Sequence, residues 1–363
     1  MVYHKGLHRY SVILAVCTFG LIFAGGLVTS TGSGLSVPDW PNTYGYFMFA
    51  FPIDKMVGGI VYEHTHRMIA TVVGLLTVIL AIWLGRKEER KWLRVLGYVA
   101  LGAVIAQGVL GGLTVLYLLP VSISVGHAAL AQTFFAIVCA IALFTSRWWD
   151  ESSKFKDQNS KLEDLEIDKR RGVNLSWLSI GTTAAVYIQL ILGALMRHTH
   201  SGLVVPDFPL AWGQFFPSLT PDAIASYNSR LIDANLWLAA DGQVTAGQIL
   251  IHMLHRLWAV VVTVMIIWTA ISILRNRLLE KRVRVFGYYL IGLIILQITL
   301  GAFTVLTRKA VDITTLHVAV GALILITCVL LSLHAVKIYG VRRSPVVVPV
   351  AKKVENPFGK AIA

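Results

Sequence analysis

The sequence predicts an all-α integral membrane protein: eight transmembrane helices forming two pseudo-symmetric four-helix bundles, related as a parallel repeat. Three observations predict it. The 363 residues are 56% hydrophobic and only 14% charged, where soluble domains carry about 25% charged residues. Apolar stretches close to the roughly 20 residues that cross a bilayer as a helix recur along the chain. The most distinctive stretches of the first half also return in the second.

Taken in order, the apolar stretches lie at about 11–30, 68–85, 96–119, 121–145, 174–196, 250–274, 285–306 and 314–336. A chain inside lipid must satisfy its own backbone, so each is expected to be a helix. The segments between them set the direction of each crossing. Segments 1–10, 86–95, 146–173, 275–284 and 337–363 hold 25 of the 32 Lys and Arg residues. The others are Lys55, Arg67, Arg197, Arg230, Arg256, Arg308 and Lys309. This alternation is the positive-inside pattern. It places both termini in the cytoplasm and turns the long loops 31–62 and 197–249 outward. It also accounts for the net charge of +13 without nucleic acid as a partner. No leader or transit peptide is expected, and a prokaryotic plasma membrane is the expected home. Cys17, Cys139 and Cys328 all fall within spans, so no disulfide framework is expected outside.

The repeat sets the domain organisation. "GGLVTSTGSGLSVPDWP" at 25–41 matches "GALMRHTHSGLVVPDFP" at 193–209 in ten of seventeen positions. "EHTHR" at 63–67 aligns with "HMLHR" at 252–256, "QGVLGGLTVL" at 107–116 with "QITLGAFTVL" at 297–306, and His127 with His317. The offset grows from 168 to 189–190, so the second outer loop is longer by about 21 residues. Each half has an even number of spans, so both enter the membrane in the same sense and the repeat is parallel. The halves are expected at 1–145 and 174–336, joined by a charged cytoplasmic linker at 146–173 and followed by a cytoplasmic tail at 337–363. Gly108 and Gly112 form a small-xxx-small pair suited to close helix packing.

Ionisable residues within spans are costly and mark function by default. His66, His127, His255 and His317 are expected at similar depth, one to two turns below the outer surface, two in each half on different helices. Facing imidazoles inside a bundle suit the two axial positions of a heme iron, whereas zinc calls for further ligands. Glu63 could join a metal site, but its counterpart is His252, and no H-E-x-x-H motif is present. Arg67 and Arg256 follow their histidines. Each could meet a heme propionate as a fork on a carboxylate. Arg67 could equally pair with Glu63 at i, i+4 or reach the interface. His64, His198 and His200 read as interfacial. Pro38, Asp39, Pro206 and Asp207 suggest folded lids, with Trp40 and Phe208 as interface aromatics. Gln107 and Gln297 read as bonds between helices.

The Glu-x-x-His-Arg at 63–67, the His-x-x-His-Arg at 252–256, His127, His317 and the doubled Gly-Leu-x-Val-Pro-Asp loops resemble the heme A synthase family. The resemblance covers residues 8–336. It implies a membrane oxidoreductase that oxidises the C8 methyl of heme O to a formyl group, making heme A for terminal oxidases. It implies a heme b cofactor on the axial ligands His255 and His317, with Arg256 as a propionate contact. Substrate heme O would bind near His66, His127 and Arg67, with Glu63 catalytic. The implied partners are heme O and heme A, a heme O synthase, an electron donor, membrane lipid and a second copy of the chain. One branch of the family carries paired outer-loop cysteines, which are absent here. Glu63 is also where the halves differ in acid–base chemistry, and a carboxyl group there can exchange protons or stabilise positive charge on an oxidised methyl carbon. Two other classes compete: a diheme b-type electron carrier, indifferent to loss of Glu63, and a heme transporter or chaperone, which makes no oxidised product.

Overall fold

The computed structural model describes residues 3–151, 175–233, 243–276 and 279–339. Most of the expected linker at 146–173 and tail at 337–363 lies outside the described residues, as do residues 234–242 of the second loop. The fold is carried by nine α-helices among the described residues: α1 Lys5–Ser30, α2 Gly59–Lys87, α3 Lys91–Leu116, α4 Val121–Phe144, α5 Leu175–His198, α6 Pro221–Asp233, α7 Ala246–Arg275, α8 Lys281–Leu306 and α9 Val311–Tyr339. All but α6 are long and apolar enough to cross a membrane, which agrees with the eight expected spans.

Many hydroxyls in the spans are satisfied within the helices. The Ser11, Thr18 and Thr77 hydroxyls donate to the carbonyls of Leu7, Leu14 and Val73 one turn back. This is the ordinary way such residues are satisfied in a helix. Other hydroxyls join helices: Thr182 meets Thr269 at 2.8 Å and Thr183 meets Ser332 at 2.9 Å. Helix α7 opens on a capping box, with the Thr245 hydroxyl accepting from the Gln248 amide and the Gln248 side chain accepting from the Thr245 amide. Two orphan donors at the helix start are thereby satisfied.

Among the first four helices, α1 packs on α2 and α4, and α3 packs on the same two. Among the last four spans, α5 packs on α7 and α9, and α8 packs on the same two. Leu14, Leu80, Leu84, Leu93, Phe134 and Ile141 anchor the core of the first set. Ile266, Ile273, Leu290, Leu325 and Leu331 anchor that of the second. Contacts of α1 and α4 with α9, and of α4 with α5, join the sets. Phe135, Cys139, Ala322 and Ile326 are buried at that seam.

Three local expectations change. Helix α2 begins at Gly59, earlier than its apolar run. His66 is therefore seven residues into the helix, roughly 10 Å along its axis at about 1.5 Å per residue. The polar start of the span is helical because the first loop folds over it. The second loop contains α6, whose Tyr227 and Leu231 are buried with Val204, Val205 and Ile249. The extra length of that loop makes room for this helix. Gly108 has open space where a side chain would go, whereas a Cβ on Gly112 would lie within 3 Å of the Trp40 indole. Gly112 thus seats the first loop rather than a neighbouring helix.

Candidate functional site

The two Val-Pro-Asp segments fold alike. The Asp39 carboxylate accepts hydrogen bonds from the Tyr44 and Gly45 amides, both at 2.8 Å. Asp207 accepts from Trp212 and Gly213 at 2.7 and 2.8 Å. Both turns use a left-handed pair, Tyr44–Gly45 at φ 49° and 75° and Trp212–Gly213 at φ 56° and 77°. A turn with positive φ at both central residues suits glycine and strains most other residues. Burial opposes the Asp39 charge. The Gly45 and Tyr44 amides and the nearby Arg67 outweigh it and hold the carboxyl below its ordinary value.

Each arginine after a histidine pins the loop above it. Arg67 donates to the carbonyls of Asp39 at 2.7 Å, Asn42 at 3.1 Å and Val37 at 2.8 Å, and to Glu63 Oε1 at 2.7 Å. Arg256 donates to the carbonyls of Leu210 at 3.0 Å, Val205 at 3.1 Å and Asp207 at 2.7 Å. The i, i+4 pairing of Arg67 with Glu63, one of the readings open for it, is present. Glu63 Oε2 also accepts the Val37 amide at 2.7 Å. The carboxylate is 3% exposed and tied at both oxygens. At the equivalent place His252 is 1% exposed, with Nδ1 at 2.7 Å from the Ser201 carbonyl.

Beneath these loops lie the four histidines, each against a glycine of the adjacent helix. A Cβ placed on Gly25, Gly111, Gly193 or Gly301 would lie 3.1, 3.1, 3.2 or 3.0 Å from Cε1 of His66, His127, His255 or His317 respectively. A methyl group there would force the ring to shift. His66 and His127 are within electrostatic range of each other, as are His255 and His317. Glutamine amides fix three of the rings. Gln107 Nε2 lies 3.3 Å from His127 Nε2 and donates to the His127 carbonyl at 3.0 Å. Gln297 Nε2 lies 3.5 Å from His317 Nε2. Gln189 Nε2 lies 3.2 Å from both ring nitrogens of His255 and donates to its carbonyl at 3.1 Å. Gln189 is a further residue of the site, one that the sequence does not single out. It aligns with Leu21, so a search for identities between the halves passes over it. The available signal was the difference.

His64 is buried against the first loop: its Nδ1 lies 3.1 Å from the Thr43 hydroxyl and its ring packs on Phe51. His198 is half-buried at the end of α5, and His200 is exposed with φ 56°. Phe208 lies 5.8 Å from the Arg256 guanidinium carbon, so it packs within the loop clasp.

The residues present fit a heme. Buried side-chain nitrogens and oxygens normally have partners. Here His66 Nδ1, His127 Nδ1 and His317 Nδ1 are buried with none, as are Gln107 Oε1, Gln189 Oε1 and Gln297 Oε1. Among the described residues no three or more His, Cys, Asp or Glu side chains cluster as a metal cage. Two imidazoles per set of helices are the donor set of a porphyrin iron, whose remaining four nitrogens come with the ligand.

A family model matches residues 8–52 and 48–329, and its family, COX15-CtaA, is described as cytochrome oxidase assembly protein. Among curated proteins, the chain is 26% identical over 320 residues to a heme A synthase of Lysinibacillus sphaericus, covering 87% of this chain and 91% of that one. It is 26% identical over 367 residues to a heme A synthase of Geobacillus kaustophilus, covering 98% of each. A heme A synthase of Caulobacter sp. is 26% identical over 346 residues, covering 87% and 92%. With its eight apolar helices and a match that runs through nearly all of them, this multi-pass membrane protein belongs to the COX15-CtaA family of cytochrome oxidase assembly proteins.

Proposed function

We propose that the protein is a heme A synthase. It oxidises the C8 methyl of heme O to a formyl group and yields heme A for terminal oxidases. It sits in the plasma membrane of a prokaryote, with both termini cytoplasmic and the two loops outside. Residues 1–145 and 174–336 are pseudo-symmetric four-helix halves of a parallel repeat, joined by the linker 146–173. The first half takes heme O between His66 and His127. The second half keeps a resident heme b between His255 and His317. A heme O synthase supplies the substrate, and a separate donor supplies electrons.

Whole-length likeness to bacterial proteins of that name supports this reading. One geometric observation carries it: buried imidazoles stand in pairs over glycines, and three of the four leave a ring nitrogen without a partner. When bound, heme b supplies one-electron transfer. The chain's own residues do the rest. Gly25 and Gly111 let the Cε1 edges of the His66 and His127 rings come close to the neighbouring helices. Gln107 sets the plane of His127. The two loops keep water from the porphyrin edges. Glu63, one turn from His66 on the same face of α2, gives up or takes a proton at its carboxylate. The Val37 amide and Arg67 hold it when it is charged. Arg67 and Arg256 position the loops, since their guanidinium groups are spent on loop carbonyls.

The test is pigment chemistry. The full chain, purified from a heterologous bacterial host with and without a co-expressed heme O supply, is extracted and its hemes are separated by chromatography. Heme b in both preparations, and heme A only with the supply, is the expected result. Heme b alone in both would leave an electron carrier, and colourless protein would sink both.

A further inference from the structure

The second half carries two cations that no loop carbonyl or carboxylate uses. Arg197 and Lys309 stand in for Thr29 and Leu119 of the first half. Among the described residues neither side chain has a hydrogen-bond partner, and neither takes part in an ion pair. Arg197 is half-buried at the end of α5. Lys309 is exposed in the turn between α8 and α9. The two lie within electrostatic range of each other. Burying part of a guanidinium beside a second cation is unfavourable without an anion.

Their placement points at the second-half histidine pair. Gln189, Gly193 and Arg197 are spaced i, i+4, i+8 and so line one face of α5. Gln189 bonds the His255 ring, and Gly193 faces it at 3.2 Å from a built Cβ. Arg197 is the next position on that face, about 6 Å nearer the loop. Lys309 is held over Gly202, its Cδ at 3.6 Å from a Cβ built there. That requires Arg308 and Lys309 at φ 54° and 66°, a left-handed pair that non-glycine residues adopt at a cost. The first half has the same turn, Leu118 and Leu119 at φ 56° and 60°, with Leu119 over Gly34 at 3.6 Å. The backbone is therefore shared and only the charge is new. On the α1 face equivalent to that of α5 stand Leu21, Gly25 and Thr29. The Thr29 hydroxyl is spent on the carbonyls of Gly25 and Gly26, both at 3.0 Å.

We propose that Arg197 and Lys309 form a carboxylate site that grips the propionates of the porphyrin held by His255 and His317, and that the first half lacks such a site so that its porphyrin can leave. The first part rests on the heme b assignment above. Arg offers a planar fork and Lys a mobile point charge, which together suit two carboxylates on flexible arms.

The experiment compares heme b with heme b dimethyl ester, whose propionates carry no charge, each reconstituted into the purified full chain. Loss of either pigment to excess apomyoglobin is followed in the Soret band. Wild type should lose the ester at least roughly tenfold faster than heme b, the two charged contacts being the strong kind. Arg197→Gln/Lys309→Gln should lose both pigments at one rate, with the low-spin spectrum intact because the imidazoles are untouched. Lys309→Gln alone, at an exposed turn, gives an intermediate preference and guards against a folding defect in the double variant. A wild-type preference that survives in both variants overturns the proposal and leaves the cations to lipid phosphate. Failure of wild type to hold either pigment would instead sink the heme b assignment.

Discussion

The loops over residues 63–67 and 252–256 are built on one plan, yet their electrostatics differ. Both use an Asp to close a left-handed turn, and both are stapled by an Arg that donates to three loop carbonyls. Under the first loop the staple includes a buried carboxylate, Glu63, which also takes the Val37 amide. Under the second, neutral contacts replace it, as His252 meets the Ser201 carbonyl. One turn further out the contrast reverses. The second half has Arg197 and Lys309 where the first has Thr29 and Leu119. A shared scaffold thus carries a buried carboxylate in one half and free cations in the other. On the function proposed above, chemistry on an exchangeable ligand would call for the first, and retention of a resident one for the second.

The largest expected effect separates the histidine pairs. His255→Ala or His317→Ala should remove the low-spin heme b signal from purified protein, since each iron has only two protein ligands. His66→Ala should leave that signal in place while heme A formation stops. Optical spectra of the three variants at equal protein concentration decide it. Equal loss of heme b in all three would break the division of labour between halves.

Glu63→Gln should come next. It keeps size and hydrogen bonding but removes the titratable proton. Heme A formation should fall by well over ~10-fold, as positioned acid–base groups commonly supply about 10²–10⁴. The heme b spectrum should not change, and substrate heme or a partly oxidised form should accumulate. Wild-type turnover in this variant would make Glu63 a loop clasp and nothing more.

The smallest effect concerns stability. Arg67→Ala strands both loop carbonyls and the buried Glu63 carboxylate, and breaking such a pair costs about 3–5 kcal/mol. Arg256→Ala strands carbonyls alone, at about 1–3 kcal/mol. Thermal melting in one detergent should therefore rank Arg67→Ala below Arg256→Ala, with Glu63→Ala/Arg67→Ala recovering part of the loss. Equal melting temperatures for the two single variants would mean that Glu63 is neutral in the folded protein.

Several features were invisible in the sequence for reasons that can be named. Gln189 looked like one more polar residue in a span because its repeat partner is Leu21, and only its approach to the His255 ring reveals a role. Gly112 looked like half of a helix-packing motif, yet its empty side faces Trp40 from a loop more than seventy residues earlier. Helix α6 lacks the length and hydropathy of a span, and its buried side takes meaning from Val204, Val205, Val244 and Ile249, which it packs against in the fold. Arg67 had two equally good partners on paper. The loop carbonyls that engage it lie 25 to 30 residues away.

The sequence by itself determined the eight spans, the duplicated stretches and the four histidines, together with Glu63, Gln107, Gln297, Arg67 and Arg256. These are properties of composition and spacing along the chain. A chain crossing lipid must satisfy its own backbone, which long apolar stretches do as helices, and a repeat is visible wherever residues are the same. The tertiary structure alone decided which glycine each imidazole faces, which carbonyls each arginine holds, and which cations lack an anion. Those outcomes depend on which groups meet across helices and loops. A guanidinium placed on a helix face has several partners within reach of its long side chain, and only the fold of the loop above it selects among them.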